Sequence, residues 1–148
     1  MSHRALFYHI LFSTKQRRPL LAGDALSRTC RYIGGIARKL QGQVLLANGM
    51  PDHVHLAASI PATMAVADFV RAVKANSSAW AHQQFPDLRD FAWQDGYAAF
   101  TVSPSLLPQV KQYIENQAEH HRKLSFQEEL VALLEKHGVE YDERYIWR

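Results

Sequence analysis

Two histidines one residue apart, His53 and His55, stand in the stretch PDHVHLAASI (51–60). Side chains alternate between the two faces of a strand. His53, His55, Ala57 and Ser59 therefore share one face, and Val54, Leu56, Ala58 and Ile60 share the other. The second set is a core face. The first is small or polar, and it is expected to be an open platform carrying two imidazoles side by side. Such a pair can chelate a divalent metal; taken alone, it also fits two ordinary, partly exposed histidines. Asp52 adjoins the pair and could touch a metal or support a ligand from behind. His9, in an early apolar stretch, reads as a core histidine or as one supporting a ligand.

A second group with chemical potential is QYIENQAEHH (112–121). Tyr113 and Gln117 are four residues apart and so lie on one helical face, with His121 one turn further and His120 beside it. On an amphipathic helix this pattern also fits plain packing with a solvent contact. If the helix crosses the polar face of the sheet, Gln117 supplies an oxygen ligand beside the histidines and Tyr113 stands near the metal. A phenol next to a divalent ion suits one reaction well: attack on a phosphodiester whose oxygens the metal polarises, giving a covalent phosphotyrosine. A free tyrosine titrates near 10, so a neighbour must help remove its proton. Lys111, His120 and His121 are near in sequence, and none is spaced to be singled out as the base.

The elements that must position these residues follow from pattern. RALFYHILFS (4–13) is rich in aromatic and aliphatic residues and reads as a strand. Leu26, Cys30, Ile33, Ala37 and Leu40 recur at helical steps from Asp24 to about Gln41. QVLLANGM (43–50) and the histidine segment form two more strands, and the turn residues of NGMPD join them as a hairpin. Val66, Phe69, Val70, Val73, Ser77 and Trp80 mark a second helix ending near Phe85. GYAAFTVS (96–103) is a fourth strand. Ser105 is placed to cap a third helix carrying Val110, Tyr113, Ile114 and Gln117. Ser125 and Glu128 form a capping box for a fourth, with Leu130, Leu133 and Leu134 on its apolar side and Gly138 as its stop. The order β-α-β-β-α-β followed by helices predicts an α+β fold: a ferredoxin-like split β-α-β antiparallel sheet with C-terminal helices, in one domain over 1–148.

Composition sets the outer bounds. The chain has 148 residues, 47% hydrophobic and 21% charged, which is ordinary for a globular domain. Its apolar runs are of strand length, well short of the roughly 20 residues of a membrane span. The single cysteine, Cys30, excludes a disulfide framework and a thiolate zinc site. A cytoplasmic protein without a membrane partner is expected. The net charge of +3 is a mild bias. Its clusters are Lys15, Arg17 and Arg18; Arg28, Arg31, Arg38 and Lys39; and His120 to Lys123. Each reads as a solvated face or as a nucleic-acid contact.

The histidine pair around one hydrophobic residue, His53-Val54-His55, resembles the signature of the HUH nucleases. The step from Tyr113 to Gln117 resembles the helix of their single-tyrosine transposases. The similarity runs through HILFSTKQRRP, MPDHVHLAASIP, Lys74 with Ser77-Ser78, WQDGY, YIENQAEHH and HGVEYDERYIW, in that order. The chain looks like a transposase of a small bacterial insertion sequence, including the REP-associated tyrosine transposase relatives, or a relative retained by its host. The resemblance implies an HUH endonuclease fold, with His53, His55 and Gln117 holding Mg2+ or Mn2+. It implies that Tyr113 attacks single-stranded DNA at hairpin-bearing ends, leaving a 5′-phosphotyrosine and a free 3′-hydroxyl. It also implies a homodimer, in some members with the tyrosine helix acting in trans. Lys15, Arg17, Arg18, Lys74, Arg122 and Lys123 are the basic residues expected at DNA. Asp52, His9 and His121 are the groups that could support the ligands from behind. Two rivals remain: a non-catalytic single-stranded nucleic-acid-binding module on the same scaffold, which would carry exposed aromatic pairs on its sheet, and a metal-dependent hydrolase using water as nucleophile.

Overall fold

The computed structural model describes residues 1–144; Tyr145, Ile146 and Trp147, which end the HGVEYDERYIW motif, lie outside the described residues. Strands β1 (Phe7–Ser13), β2 (Gln43–Met50), β3 (His53–Ser59) and β4 (Ala98–Val102) form one sheet in the order β2-β3-β1-β4. Every neighbouring pair is antiparallel. Helix α1 (Asp24–Lys39) links β1 to β2, and α2 (Val66–Gln84) links β3 to β4. With β3 inserted between β1 and β2, this is the expected split β-α-β sheet. Three helices follow: α3 (Leu107–Glu115), α4 (Gln117–His120) and α5 (Phe126–Lys136).

Alternation along the two central strands sorts side chains into two layers. Ile10, Phe12, Val54, Leu56 and Ala58 face α1 and α2, where Ile33, Ile36, Phe69, Val70 and Val73 complete the main core. The other face holds a smaller apolar group, Leu11 and Phe100 under Phe126, Leu133 and Leu134 of α5. His9, His53 and His55 emerge on this second face and are buried, the latter two completely. The expected open platform is therefore corrected: α3 to α5 close over it. Both faces of β3 are covered, because the apolar stripe of α5 must itself be buried against something.

Four local features differ from the sequence-based expectation. The first strand begins at Phe7 rather than Arg4. The hairpin turn is shorter than NGMPD, only Pro51 and Asp52, and β2 spans Gln43–Met50 as expected, Asn48 and Gly49 included. Gly49 is needed there, since a Cβ would lie 2.1 Å from the carbonyl oxygen of His53. Ser105 caps nothing: it lies inside a 3-10 turn, Pro104–Leu106, that leads into α3. The helix carrying Tyr113 is also interrupted. Asn116 leaves helical geometry (φ −93°, ψ 25°), separating α3 from α4. Asn48 on β2 accounts for that break. Its amide donates to the carbonyls of Ile114 (3.0 Å) and Glu115 (3.2 Å) at the end of α3, supplying partners they lose. The Ser125–Glu128 capping box starts α5 as expected. Gly138 follows that helix with φ +66°, a left-handed conformation suited to glycine.

Candidate metal and nucleophile site

β3 sets the site. His53 and His55 leave the same face, and each ring has one nitrogen facing inward and one held from behind. Behind His53, Nδ1 donates to Asp52 Oδ1 at 2.7 Å, from the hairpin turn. Behind His55, Nδ1 lies 2.7 Å from His9 Nε2 on the neighbouring strand. A group bonded to one ring nitrogen fixes ring orientation and leaves the other for a ligand. The inward nitrogens, Nε2 of both rings, meet residues from the covering helices.

Gln117, fully buried at the start of α4, places its Oε1 3.0 Å from His53 Nε2. Its amide donates to Glu129 Oε2 at 3.1 Å. Glu129 comes from α5 and is the convergence point. Its Oε1 lies 3.0 Å from His55 Nε2, 3.3 Å from His53 Nε2 and 3.1 Å from His121 Nε2. Its Oε2 accepts the Tyr113 hydroxyl hydrogen. Tyr113 thus stands at the edge of the cluster, its ring against His9, His55 and His120. Tyr113 and Gln117 reach the histidine pair of their own chain.

The electrostatics follow from burial set against partners. Burial pulls His53 down, but the hydrogen bonds and charges of Asp52 and Glu129 outweigh it and raise the imidazole to about 9. Burial wins for His55, which is lowered. It also wins for His9, lowered to about 3 with His55 adding to the effect. Burial would raise Glu129, yet its bonds to His53 and His55 hold it well below the usual carboxylate range. Tyr113 is pushed far above its ordinary value, first by burial and then by the Glu129 carboxylate. It is a neutral phenol with its hydrogen aimed at Glu129.

The donor set fits a divalent ion. Ligand atoms of His53, His55 and Glu129 all lie within 4.8 Å of one another, close enough to hold one ion together. The Gln117 oxygen adds a fourth donor at the His53 nitrogen. Imidazole nitrogen with carboxylate and amide oxygen is a set suited to divalent first-row and hard cations.

A model of the IS200-like transposases matches residues 2–117. The chain belongs to that family. Two curated transposases are similar along most of their length. The ISDra2 transposase TnpA of Deinococcus radiodurans is 32% identical over 117 residues, covering 76% of this chain and 84% of that protein. The transposase of insertion sequence element IS200 from Salmonella typhimurium is 34% identical over 125 residues, covering 78% of each. Among solved structures, a candidate transposase from Deinococcus radiodurans superposes with a TM-score of 0.65 at 28% identity, over 79% of this chain and 95% of the other. A REP-associated tyrosine transposase bound to a REP hairpin gives 0.60 at 17% identity, over 82% and 74%, and so shares the fold.

The basic residues of this IS200-like chain divide into two sets. Arg17 lines a cleft with Asp52, His121 and Ser125 at the mouth of the site. It and Gln16 adopt left-handed backbone angles (φ 55° and 56°), uncommon for residues with a Cβ, in the turn after β1. Lys15 and Lys123 are exposed. Arg18 pairs with Asp90 at 3.5 Å and Arg122 with Glu119 at 3.5 Å, both on the surface. Lys74 is engaged internally, its ammonium donating to the carbonyls of Gln94 (2.6 Å) and Gly96 (2.8 Å). It holds the WQDGY loop and lines the open cavity beside it. Among the described residues no helix is long and apolar enough to cross a membrane.

Sequence reasoning missed Glu129. The signal was present: Phe126, Glu129, Leu130, Leu133 and Leu134 share one stripe of α5, so a carboxylate sits on an apolar face. A buried acid requires a partner.

Proposed function

We propose that this family member is a metal-dependent, single-tyrosine strand transferase that nicks and rejoins single-stranded DNA at hairpin-bearing ends. Its nucleophile is Tyr113 and its metal-holding residues include His53, His55 and Gln117. One observation carries the reading: a buried histidine pair on a strand, a glutamine oxygen and a tyrosine hydroxyl meet in a single hydrogen-bonded cluster. Among the described residues this sheet face is covered and carries the histidines, where a passive binding module would carry exposed aromatics.

In the reaction, the Tyr113 hydroxyl gives its proton to the Glu129 carboxylate that accepts its hydrogen bond, and its oxygen forms a bond to the phosphorus of a backbone phosphodiester. The bond from phosphorus to the 3′ oxygen breaks, and that oxygen takes up a proton to leave a 3′-hydroxyl. The 5′ side stays on the tyrosine as a phosphodiester, so the reverse attack by a 3′-hydroxyl rejoins strands without an external energy source. His53 and His55, oriented by Asp52 and His9, and Gln117 would hold Mg2+ or Mn2+, which when bound polarises the phosphate oxygens. Arg17 at the cleft mouth, with Lys15, Arg18, Arg122 and Lys123 on the nearby surface, is suited to backbone phosphates. A hairpin-bearing single strand as substrate draws support from the hairpin bound by the REP-associated relative. A homodimer is the assembly the resemblance implies, and within one chain the tyrosine already meets the histidine pair.

The test is incubation with Mn2+ and a single-stranded hairpin oligonucleotide, followed by a denaturing gel. A protein–DNA adduct is expected, lost in Tyr113→Phe and in the His53→Ala/His55→Ala pair. Cleavage without an adduct would favour water as the nucleophile; equal activity on duplex DNA would remove the single-strand assignment.

A further inference from the structure

Helix α5 begins after residue 117, where the family match ends, yet it brings the side chain on which the site converges. Glu129 is 1% exposed, and its partners are three imidazoles, one phenol and one amide. A carboxylate that deep is costly unless its charge is matched. A divalent cation held between the carboxylate and the two imidazoles would match that charge.

The spacing suits that role. Octahedral ligands with bonds of about 2.1 Å stand roughly 3 Å apart along each edge. Glu129 Oε1 is 3.0 Å from His55 Nε2 and 3.3 Å from His53 Nε2, and Gln117 Oε1 is 3.0 Å from His53 Nε2. The second carboxylate oxygen is turned to the nucleophile, accepting the Tyr113 hydroxyl. The helix is also anchored, by its capping box at one end and by Phe126, Leu133 and Leu134 on the sheet. The carboxylate is held by a rigid element, as a ligand should be.

We propose that Glu129 is a working part of the metal centre: Oε1 is its anionic ligand beside His53, His55 and Gln117, and Oε2 seats the Tyr113 hydroxyl against it. The proposal rests on the metal-dependent reading above and adds to it a residue from beyond the family-matched segment. The C-terminal helix is then part of the active site rather than an appendage.

The experiment is Mn2+ binding to the full-length protein by calorimetry, together with the rise in Tm that Mn2+ produces. The chains compared are wild type, Glu129→Gln and His53→Ala/His55→Ala. Glutamine keeps the size of Glu129 and one accepting oxygen while removing its charge and its second acceptor, and circular dichroism verifies that the variant folds. Wild type is expected to bind, Glu129→Gln to bind about tenfold or more weakly with most of the Tm rise lost, and the double variant not to bind. Unchanged or tighter binding by Glu129→Gln, with binding still abolished in the double variant, would overturn this proposal alone. It would mean that the carboxylate occupies the ion's place and is displaced by it. Absence of binding by wild type would overturn the metal reading and this proposal together. Should glutamine at 129 prevent folding, the infrared difference spectrum on adding Mn2+ decides. A carboxylate stretching shift that persists in Asp52→Asn supports the ligand, and its absence overturns it.

Discussion

The two faces of the sheet solve different problems with the same strands. Towards α1 and α2, β1 and β3 present Ile10, Phe12, Val54, Leu56 and Ala58 to an apolar core. Towards α3 to α5 the same strands present His9, Leu11, His53 and His55, met by Gln117 and Glu129. Both faces are equally dry, but one is held by area removed from water and the other by charges that must be matched. The first is tolerant of chemistry and sensitive to volume. The second is tolerant of little: each group there depends on the protonation or ligation of the next.

That contrast can be broken most strongly on the polar face. His53→Ala/His55→Ala is expected to lower the rate of strand nicking by about a thousandfold, since a catalytic ion contributes several kcal/mol at the transition state. Single-turnover cleavage of a hairpin oligonucleotide measures it. On the apolar face, Phe69→Ala is expected to cost about 3–5 kcal/mol of stability by urea unfolding, while leaving the Mn2+ affinity of the folded fraction unchanged. A change in both quantities from either substitution would show that the faces are not separable.

A third prediction uses pH on the metal-free protein. His9 is held near 3, below its free value of 6.5, so the unfolded chain takes up its proton first. Its contribution is complete above 6.5 and is lost as pH falls towards 3. His53 is raised to about 9, so its contribution is complete below 6.5 and is lost as pH rises through 9. Stability should therefore peak near neutrality and fall by a few kcal/mol on each side. Asp52→Asn, which removes the carboxylate behind His53, should flatten the alkaline limb in denaturant titrations from pH 6 to 10. The smallest effect is at the start of α5: Ser125→Ala should cost about 1 kcal/mol by loss of the capping box.

Legibility in the sequence followed the same division. The apolar face could be read from residue pattern, which placed α1, α2 and β2 close to their observed positions because burial of a stripe is a local signal, and the order of elements along the chain then implied the split β-α-β sheet. Spacing brought His53, His55, Tyr113 and Gln117 into consideration, and the family resemblance joined them. The covered state of the histidine face was not legible, since alternation reports that two faces differ and not what lies above each. Asn48 read as a residue at the end of β2 and its turn, because asparagine favours turns; what it does, holding the carbonyls at the end of α3, is a contact 66 residues away in sequence. Glu129 was passed over because its helix was read for its leucines. An acid in an apolar stripe is the sign worth following in such helices.

Tyr113 is expected to become joined to DNA, and peptide mass spectrometry of the trapped complex shows whether it does. Wild-type protein is incubated with Mn2+ and a hairpin-bearing single strand, the DNA is trimmed with nuclease, and the protein is cut with trypsin. Cleavage after Lys111 and Arg122 releases a peptide of residues 112–122 containing Tyr113. A nucleotide 5′-phosphate is expected on that peptide, at Tyr113, with a free 3′-hydroxyl on the released strand. A cut strand with the peptide unmodified, or a nucleotide attached to any other residue, would contradict that expectation.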